Sequence, residues 1–444
     1  MAQLARLAIE RKREACSGLI EPAIETGHEG PRPLHRFQHG SGRSGLVGRF
    51  NGSIATQAQQ GPKSQHGGST RAVASIPAMP QPESSPWLPW MRRALQLAAL
   101  GRGRTSPNPL VGALVLDAGG QLVGEGYHAR AGEPHAEVGA LAQAGERARG
   151  GTLVVTLEPC CHHGRTPPCS QAVIAAGIAR VVVAMADPNP QVGGGGLAEL
   201  RAAGIAVITG VAEAEARALN RPFCHRLATG RPLGILKWAM SLDGRIALTN
   251  GASQWISGPE ARTWVHQLRA QCDAVIVGGG TVRADDPLLT SRGRRDPEPL
   301  RVVLSRRLEL PAEARLWRQE QAPTLVVHGD DAPSQARVQL ERSGVERLVL
   351  TDCGPKALLE ELAQRGCNQV LWECGPELAA AALRQGCVQE LAAVIAPKLL
   401  GGTPARTPLG DLELTTMAQV ATWPTTGRRV LGPDLLWQLR QPED

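Results

Sequence analysis

The chain has 444 residues, ten cysteines and a formal net charge of +7. That length exceeds what one hydrophobic core supports, so two domains plus additional sequence are expected. No apolar run reaches the roughly 18–20 residues of a membrane helix and no charged-then-apolar leader opens the chain; ten cysteines over this length are not the dense framework of a small secreted module, so the expectation is a soluble, cytoplasmic protein.

The charge is unevenly placed. Residues 1–86 hold ten Lys and Arg against six Glu, a net +4, which leaves the remainder nearly balanced. Aromatics make up 3% and no basic stripe interleaves with them. That argues against a stacking platform for nucleic acid.

Residues 1–86 are rich in Gly, Ser, Gln and Pro, as over Gln57–Thr70, and lack sustained periodicity. They read as a disordered extension, with a targeting segment or an upstream start codon as alternatives. Helical spacing begins at Met91–Leu100 and stops at Gly101 and Gly103. Strands are expected at Val111–Leu116 and Leu122–Tyr127, then a helix over His135–Arg147 and a strand at Thr152–Leu157. A helix at Cys169–Ala176, strand Arg180–Met185, helix from Leu197, strand Ile205–Thr209 and helical Ala212–Arg226 complete an α/β unit. A boundary falls at Thr229-Gly230-Arg231-Pro232.

The alternation restarts with strand Leu233–Met240, helix Pro259–Arg269 and strand Ala274–Val277. Strands Arg301–Leu304 and Thr324–His328 follow, then a helix over Pro355–Arg365, strand Gln369–Glu373, and a helix through Leu383. Late strands are expected at Glu390–Ile395 and Asp434–Leu439. The division is 1–86 extension, 87–229 first α/β domain and 230–444 second α/β domain.

The first domain carries His135-Ala136-Glu137, then Pro159-Cys160 and Pro168-Cys169. This is the H-x-E…P-C…C arrangement of zinc-dependent deaminases. Three protein ligands, His135, Cys160 and Cys169, leave one coordination position for water, as a catalytic zinc requires. Glu137 is placed to move protons as general acid and base. A structural zinc site would want a fourth ligand, for which Cys161, His162 and His163 stand nearby. Gly193-Gly194-Gly195-Gly196-Leu197-Ala198 fits a dinucleotide-loop pattern, but a proline-rich segment precedes it where a strand is needed. It reads as a flexible loop at the mouth of the zinc site.

In the second domain, Val275-Ile276-Val277 runs into Gly278-Gly279-Gly280, and Trp372-Glu373-Cys374-Gly375-Pro376 repeats a strand-to-glycine junction ahead of a helix. Such junctions suit a nucleotide pyrophosphate or an ordinary tight turn.

Thr105-Ser106-Pro107-Asn108-Pro109, Gly124-Glu125-Gly126-Tyr127-His128, Pro134-His135-Ala136-Glu137-Val138 and the Pro159–Cys169 stretch resemble the bifunctional deaminase/reductase family of riboflavin biosynthesis. The likeness runs from about Met91 almost to the C-terminus. It implies a cytidine-deaminase-like three-layer domain followed by a dihydrofolate-reductase-like α/β domain. The implied activities are zinc-dependent deamination of a small phosphorylated diaminopyrimidine and NADPH-dependent reduction of its ribosyl group. An active deaminase joined to an inactive or repurposed reductase is the alternative.

The resemblance places Asn108, His128, His162 and Arg165 around the deaminase substrate. It places Lys237, Ser253, Arg269, Leu289, Arg292 and Glu373 around the reductase substrate, and Ala239, Trp255, Thr281, Asp285 and the turn from Gly375 on NADPH. Arg306 is a candidate for the cofactor's extra phosphate. Cys161 replaces the family's usual serine, and Trp238, Gly279, Arg283, Cys374 and Glu377 are further departures. Nucleic acid and membrane are not expected partners; a homo-oligomer is compatible with the sequence.

Overall fold

A computed structural model describes residues 85–162, 167–189 and 193–442. The extension expected over residues 1–86 lies outside it except for its last two residues, and so does Arg165. Two sheets organise the rest.

The first sheet belongs to an alternating run. Helix α1 (Leu88–Ala99) precedes β1 (Gly112–Leu116) and β2 (Leu122–Tyr127); α2 (Ala136–Ala144), β3 (Thr152–Leu157), α3 (Cys169–Ala175) and β4 (Arg180–Met185) follow. Next come α4 (Gly195–Ala202), β5 (Ala206–Thr209), α5 (Glu213–Leu219) and α6 (Arg221–Thr229). Strand order is β2-β1-β3-β4-β5. The pairs of β1 are antiparallel, and β3-β4-β5 are parallel. Both β1 and β3 are buried along their whole length, as strands covered on two faces must be.

Small residues set how closely the helices approach. A Cβ on Gly124 would lie 2.1 Å from the Ala140 carbonyl oxygen, and one on Gly126 would lie 2.5 Å from that of Ala136. The Gly-Glu-Gly of β2 therefore lets α2 lie flat on the sheet, which fixes the helix start bearing His135 and Glu137. Gly112 faces the other way, against Ala94 of α1. Helices thus cover both faces in three layers.

The second sheet has nine strands. In chain order these are β6 (Leu233–Ser241), β7 (Ala274–Gly278), β8 (Leu300–Leu304), β9 (Thr324–His328), β10 (Glu346–Val349), β11 (Gln369–Trp372), β12 (Glu390–Ala396), β13 (Thr425–Leu431) and β14 (Asp434–Arg440). Between them lie α7 (Pro259–Gln271), α8 (Gly279–Asp285), α9 (Ser334–Arg342), α10 (Pro355–Gln364) and α11 (Pro376–Arg384). The order is β10-β9-β8-β7-β11-β6-β12-β14-β13. All neighbours are parallel except at β12-β14-β13. Separate apolar clusters, one around Trp264, Val303 and Leu316 and the other around Leu358, Leu362 and Trp372, pack the sheet's helices.

Strands β7, β11 and β6 are adjacent and parallel. Trp372 pairs with both Leu236 and Ile276, so Glu373, Lys237 and Gly278 emerge at one carboxyl edge. In open α/β sheets that edge is where ligands bind.

Several expectations need correction. The glycines at 278–280 lead from β7 straight into helix α8, and Gly195–Ala202 is a helix, not a flexible loop. The helical stretch expected over Ala212–Arg226 breaks at Asn220, whose side chain accepts from the Leu110 amide at 2.7 Å and donates to the Leu110 carbonyl at 2.9 Å. The helix expected to reach Arg147 ends at Ala144 and passes into a 3-10 turn, Gly145–Ala148. Helix α9 and strands β10 and β13 were not anticipated. Those two strands are the edges of the large sheet and are mostly exposed, so they lack an apolar alternation.

Candidate active sites

His135 caps the N-terminus of α2 with extended backbone, Glu137 lies in the first turn, and Cys169 opens α3. Cys160 follows β3. The imidazole Nδ1 of His135 is 3.2 Å from Cys169 Sγ and 3.7 Å from Cys160 Sγ, and the three ligand atoms lie within 4.8 Å of one another. Tetrahedral zinc with bonds of about 2.0 Å to nitrogen and 2.3 Å to sulfur needs ligand separations of about 3.5–3.8 Å. The arrangement fits, and its N/S donor set is the one zinc favours.

The electrostatics favour thiolate at Cys160. Hydrogen bonding from the Cys169 thiol and from His135 pulls the Cys160 thiol down to about 4. Cys169, buried and sharing its proton with Cys160, is raised. The first-turn positions add the helix dipole. Glu137 is 3% exposed, and burial lifts its carboxyl to about 7 against the pull of its own amide and of His135.

Asn108 and His128 lie beside this cluster. The Asn108 amide nitrogen is 3.1 Å from His128 Nε2, and the two histidine rings, 128 and 135, meet edge to face at 5.4 Å. Burial lowers the pKa of His128. His162 is exposed. Arg165 lies outside the described residues.

Glu158 was not among the residues expected to matter. This carboxylate is 3% exposed and accepts from the amides of Asp187 at 3.2 Å, Gly194 at 3.0 Å and Leu197 at 3.2 Å. It caps α4 from a different strand and holds the chain bordering the site. Its only sequence signal is a carboxylate ending an otherwise apolar strand.

At the second carboxyl edge, Arg269 donates to Glu373 through two nitrogens at 2.6 and 3.0 Å, and Lys237 Nζ is 4.0 Å away. All three are nearly buried. Burial would raise the Glu373 carboxyl, but the Arg269 guanidinium and the Lys237 charge outweigh it and leave the carboxyl below its ordinary range. Arg269 also donates to the Thr290 carbonyl at 3.1 Å, which ties the Leu289–Arg292 loop to the cluster. Leu289 and Arg292 both adopt positive φ there, 56° and 60°. Ser253 donates to Asp285 at 3.1 Å, joining a substrate candidate to a cofactor candidate.

Ala239 shares the Lys237 face of β6. Trp255 is 62% exposed, with the Arg262 guanidinium 4.5 Å from its ring centre. Thr281 opens toward Gly375: a Cβ on that glycine would be 3.8 Å from Thr281 Oγ1, and one on Gly280 would meet nothing nearer than 4.0 Å. Internal packing therefore does not demand glycine at either place. Arg306 is exposed and pairs with Asp331 at 3.3 Å, clear of the buried cluster.

Comparison with known proteins agrees with both halves. A family model described as the cytidine and deoxycytidylate deaminase zinc-binding region matches residues 87–185, and one described as the RibD C-terminal domain matches residues 232–436. The riboflavin biosynthesis protein RibD of Synechocystis sp. is 52% identical over 347 residues, 78% of this chain and 94% of that protein. The structure of RibD from Acinetobacter baumannii matches with a TM-score of 0.73 at 41% identity, covering 80% of this chain and 99% of that one. A diaminohydroxyphosphoribosylaminopyrimidine deaminase/5-amino-6-(5-phosphoribosylamino)uracil reductase from Thermotoga maritima matches with a TM-score of 0.72 at 34% identity, covering 80% and 99%. Among the described residues, no helix is long and apolar enough to cross a membrane.

Proposed function

The chain belongs to the RibD family of riboflavin biosynthesis, and from that premise we propose that it deaminates a diaminopyrimidine bearing phosphoribosylamine and then reduces the ribosyl group to ribityl. Residues 87–229 carry the deamination and residues 230–444 the reduction. The observation that carries this reading is the convergence of His135, Cys160 and Cys169 beside a buried Glu137.

His135, Cys160 and Cys169 hold zinc, which when bound supplies Lewis-acid activation of water. Glu137 accepts a proton from the attacking water and returns it to the departing amine. Burial draws this carboxyl toward keeping a proton and a neighbouring dication draws it toward losing one, which suits a group that must do both. Asn108 and His128 face the pyrimidine edge. His162 and Arg165 serve the phosphate, Arg165 with its two-pronged guanidinium.

In the second half NADPH supplies the hydride. Lys237, Ser253, Arg269, Leu289, Arg292 and Glu373 hold the sugar phosphate and base, while Ala239, Trp255, Thr281, Asp285, Arg306 and Gly375 line the cofactor. These residues act by placing the sugar carbon against the cofactor and keeping both rigid. The substrate is a small phosphorylated pyrimidine, and the cytoplasm, a reducing compartment, keeps the thiolate ligands intact.

Purified enzyme given the diaminopyrimidine tests both steps. Ammonia release with or without NADPH, and NADPH oxidation that follows it, are expected. Ammonia release with no NADPH oxidation would sink the two-step reading.

A further inference from the structure

The segment that carries Asn108 is held by the second half of the chain. Asn368, just ahead of β11, is 6% exposed. Its amide nitrogen donates to Ser106 Oγ at 3.2 Å, to the Pro107 carbonyl at 3.2 Å and to the Asn108 carbonyl at 3.4 Å. Its amide oxygen accepts from Arg226 Nε at 2.6 Å, and Arg226 also donates to the Pro107 carbonyl at 3.0 Å. Asp273, at the start of β7, accepts from Ser106 Oγ at 2.9 Å and from the amides of Asn368 and Gln369 at 2.8 and 3.0 Å. On the same seam Gly103 presses on helix α7: a Cβ there would lie 2.1 Å from the Ala270 carbonyl oxygen.

Polar contacts, more than apolar packing, set the position of this segment. A cleft lies along the seam, lined in part by Thr105, Asn108, Asp273 and Asn368. A loop beside a cleft is free to shift unless hydrogen bonds restrain it, and the two N–H groups of Asn368 are shared among three acceptors of this one. Asn368 is buried and the Asp273 side chain nearly so, so solvent competes little for their partners.

We propose that Asn368, braced by Asp273, is a positioning residue for deamination: although it belongs to the reductase half, it sets where the Asn108 amide meets the pyrimidine. This rests on Asn108 contacting that ring. Deamination therefore needs the reductase half as part of its pocket wall, while reduction makes no such demand on this seam. His135, Cys160, Cys169 and Glu137 lie on other elements, so a shift of the loop acts first on the Asn108 contact. The loss falls on substrate binding, shared by ground and transition states, and not on the proton-transfer step.

The test is steady-state deamination by full-length Asn368→Ala, with zinc content, melting temperature and NADPH-dependent reduction of pre-deaminated substrate measured in parallel. The expected result is a deaminase KM raised between about 10- and 100-fold, with kcat, zinc content and reductase kinetics near wild type. Asn368→Ser breaks most of the same bonds without adding a charge beside Asp273, so it should show the same split and serves if the alanine variant does not fold. A wild-type KM in either folded variant overturns the proposal. So do losses in both activities that track the fall in melting temperature. Asn108→Ala separates the premise: if its KM is normal, Asn108 is not a substrate contact and the proposal goes with it; if its KM rises and that of Asn368→Ala does not, only the positioning role fails.

Discussion

The two reaction sites are assembled in opposite ways. The proposed zinc site takes its ligands and its proton carrier from residues 135–169, with each ligand at or beside a helix start. The proposed reductase site takes Lys237, Ser253, Arg269, Asp285 and Glu373 from separate strands, helices and loops, and a nearly buried ion-pair cluster holds three of them together. A metal dictates the types and spacing of its ligands, so its site is compact in sequence. Hydride transfer dictates only shape and charge, which many scattered side chains can supply. Damage should therefore be chemical and local in the first site, and structural as well as chemical in the second.

The strongest way to sharpen that contrast is Glu137→Gln. It should lower ammonia release by about 10²–10⁴-fold with zinc retained and reduction of pre-deaminated substrate unchanged; a parallel fall in reduction would show that the sites are not independent. Cys160→Ser should also abolish most deamination, but with zinc per chain reduced, as metal analysis would show.

Next in size, Arg269→Met strips the bidentate partner from a buried carboxylate. The expected cost is about 3–5 kcal/mol in denaturant unfolding, together with loss of reduction. Glu373 is held below its ordinary range, so the stability it contributes is present above the ordinary carboxylate pKa and is lost as pH falls through the lowered value. The gap between wild type and variant should therefore narrow in acid. An equal gap at all pH values would mean that the ion pair is not its source.

Smaller still, Ser253→Ala removes one hydrogen bond to Asp285 and should weaken reduction about tenfold or less, the worth of one such bond, with deamination untouched. The smallest effect is expected from Cys161→Ser: zinc content and turnover should match wild type, because Cys160 and Cys169 already supply the sulfur ligands. A drop in bound zinc would make Cys161 a ligand after all.

The contrast also explains what could be read beforehand. Apolar runs at β1, β3, β4, β7, β8 and β9 announced the sheets because those strands are covered on both faces. The edge strands β10 and β13 carried no such pattern. The zinc cluster was legible because its chemistry is compressed into a short motif. Arg269 and Glu373 were named only by resemblance, as neighbours of the substrate, and their pairing was not foreseen, since nothing local links an arginine on α7 to a glutamate 104 positions later. Asn368 was invisible for the same reason: its partner Ser106 is 262 positions away. Asn220 shows the same limit in a different form, because an asparagine inside a helical stretch gives no sign that it will bind Leu110 and break the helix.

Glu158 has a consequence for metallation. Its carboxylate secures the amides of Asp187, Gly194 and Leu197 without help from the zinc ligands, so that border of the site is anchored by protein alone. Exchange of the ion should then be a reversible loading step and not a refolding event. Chelator-treated enzyme should regain deamination on adding zinc, at a rate set by ion entry.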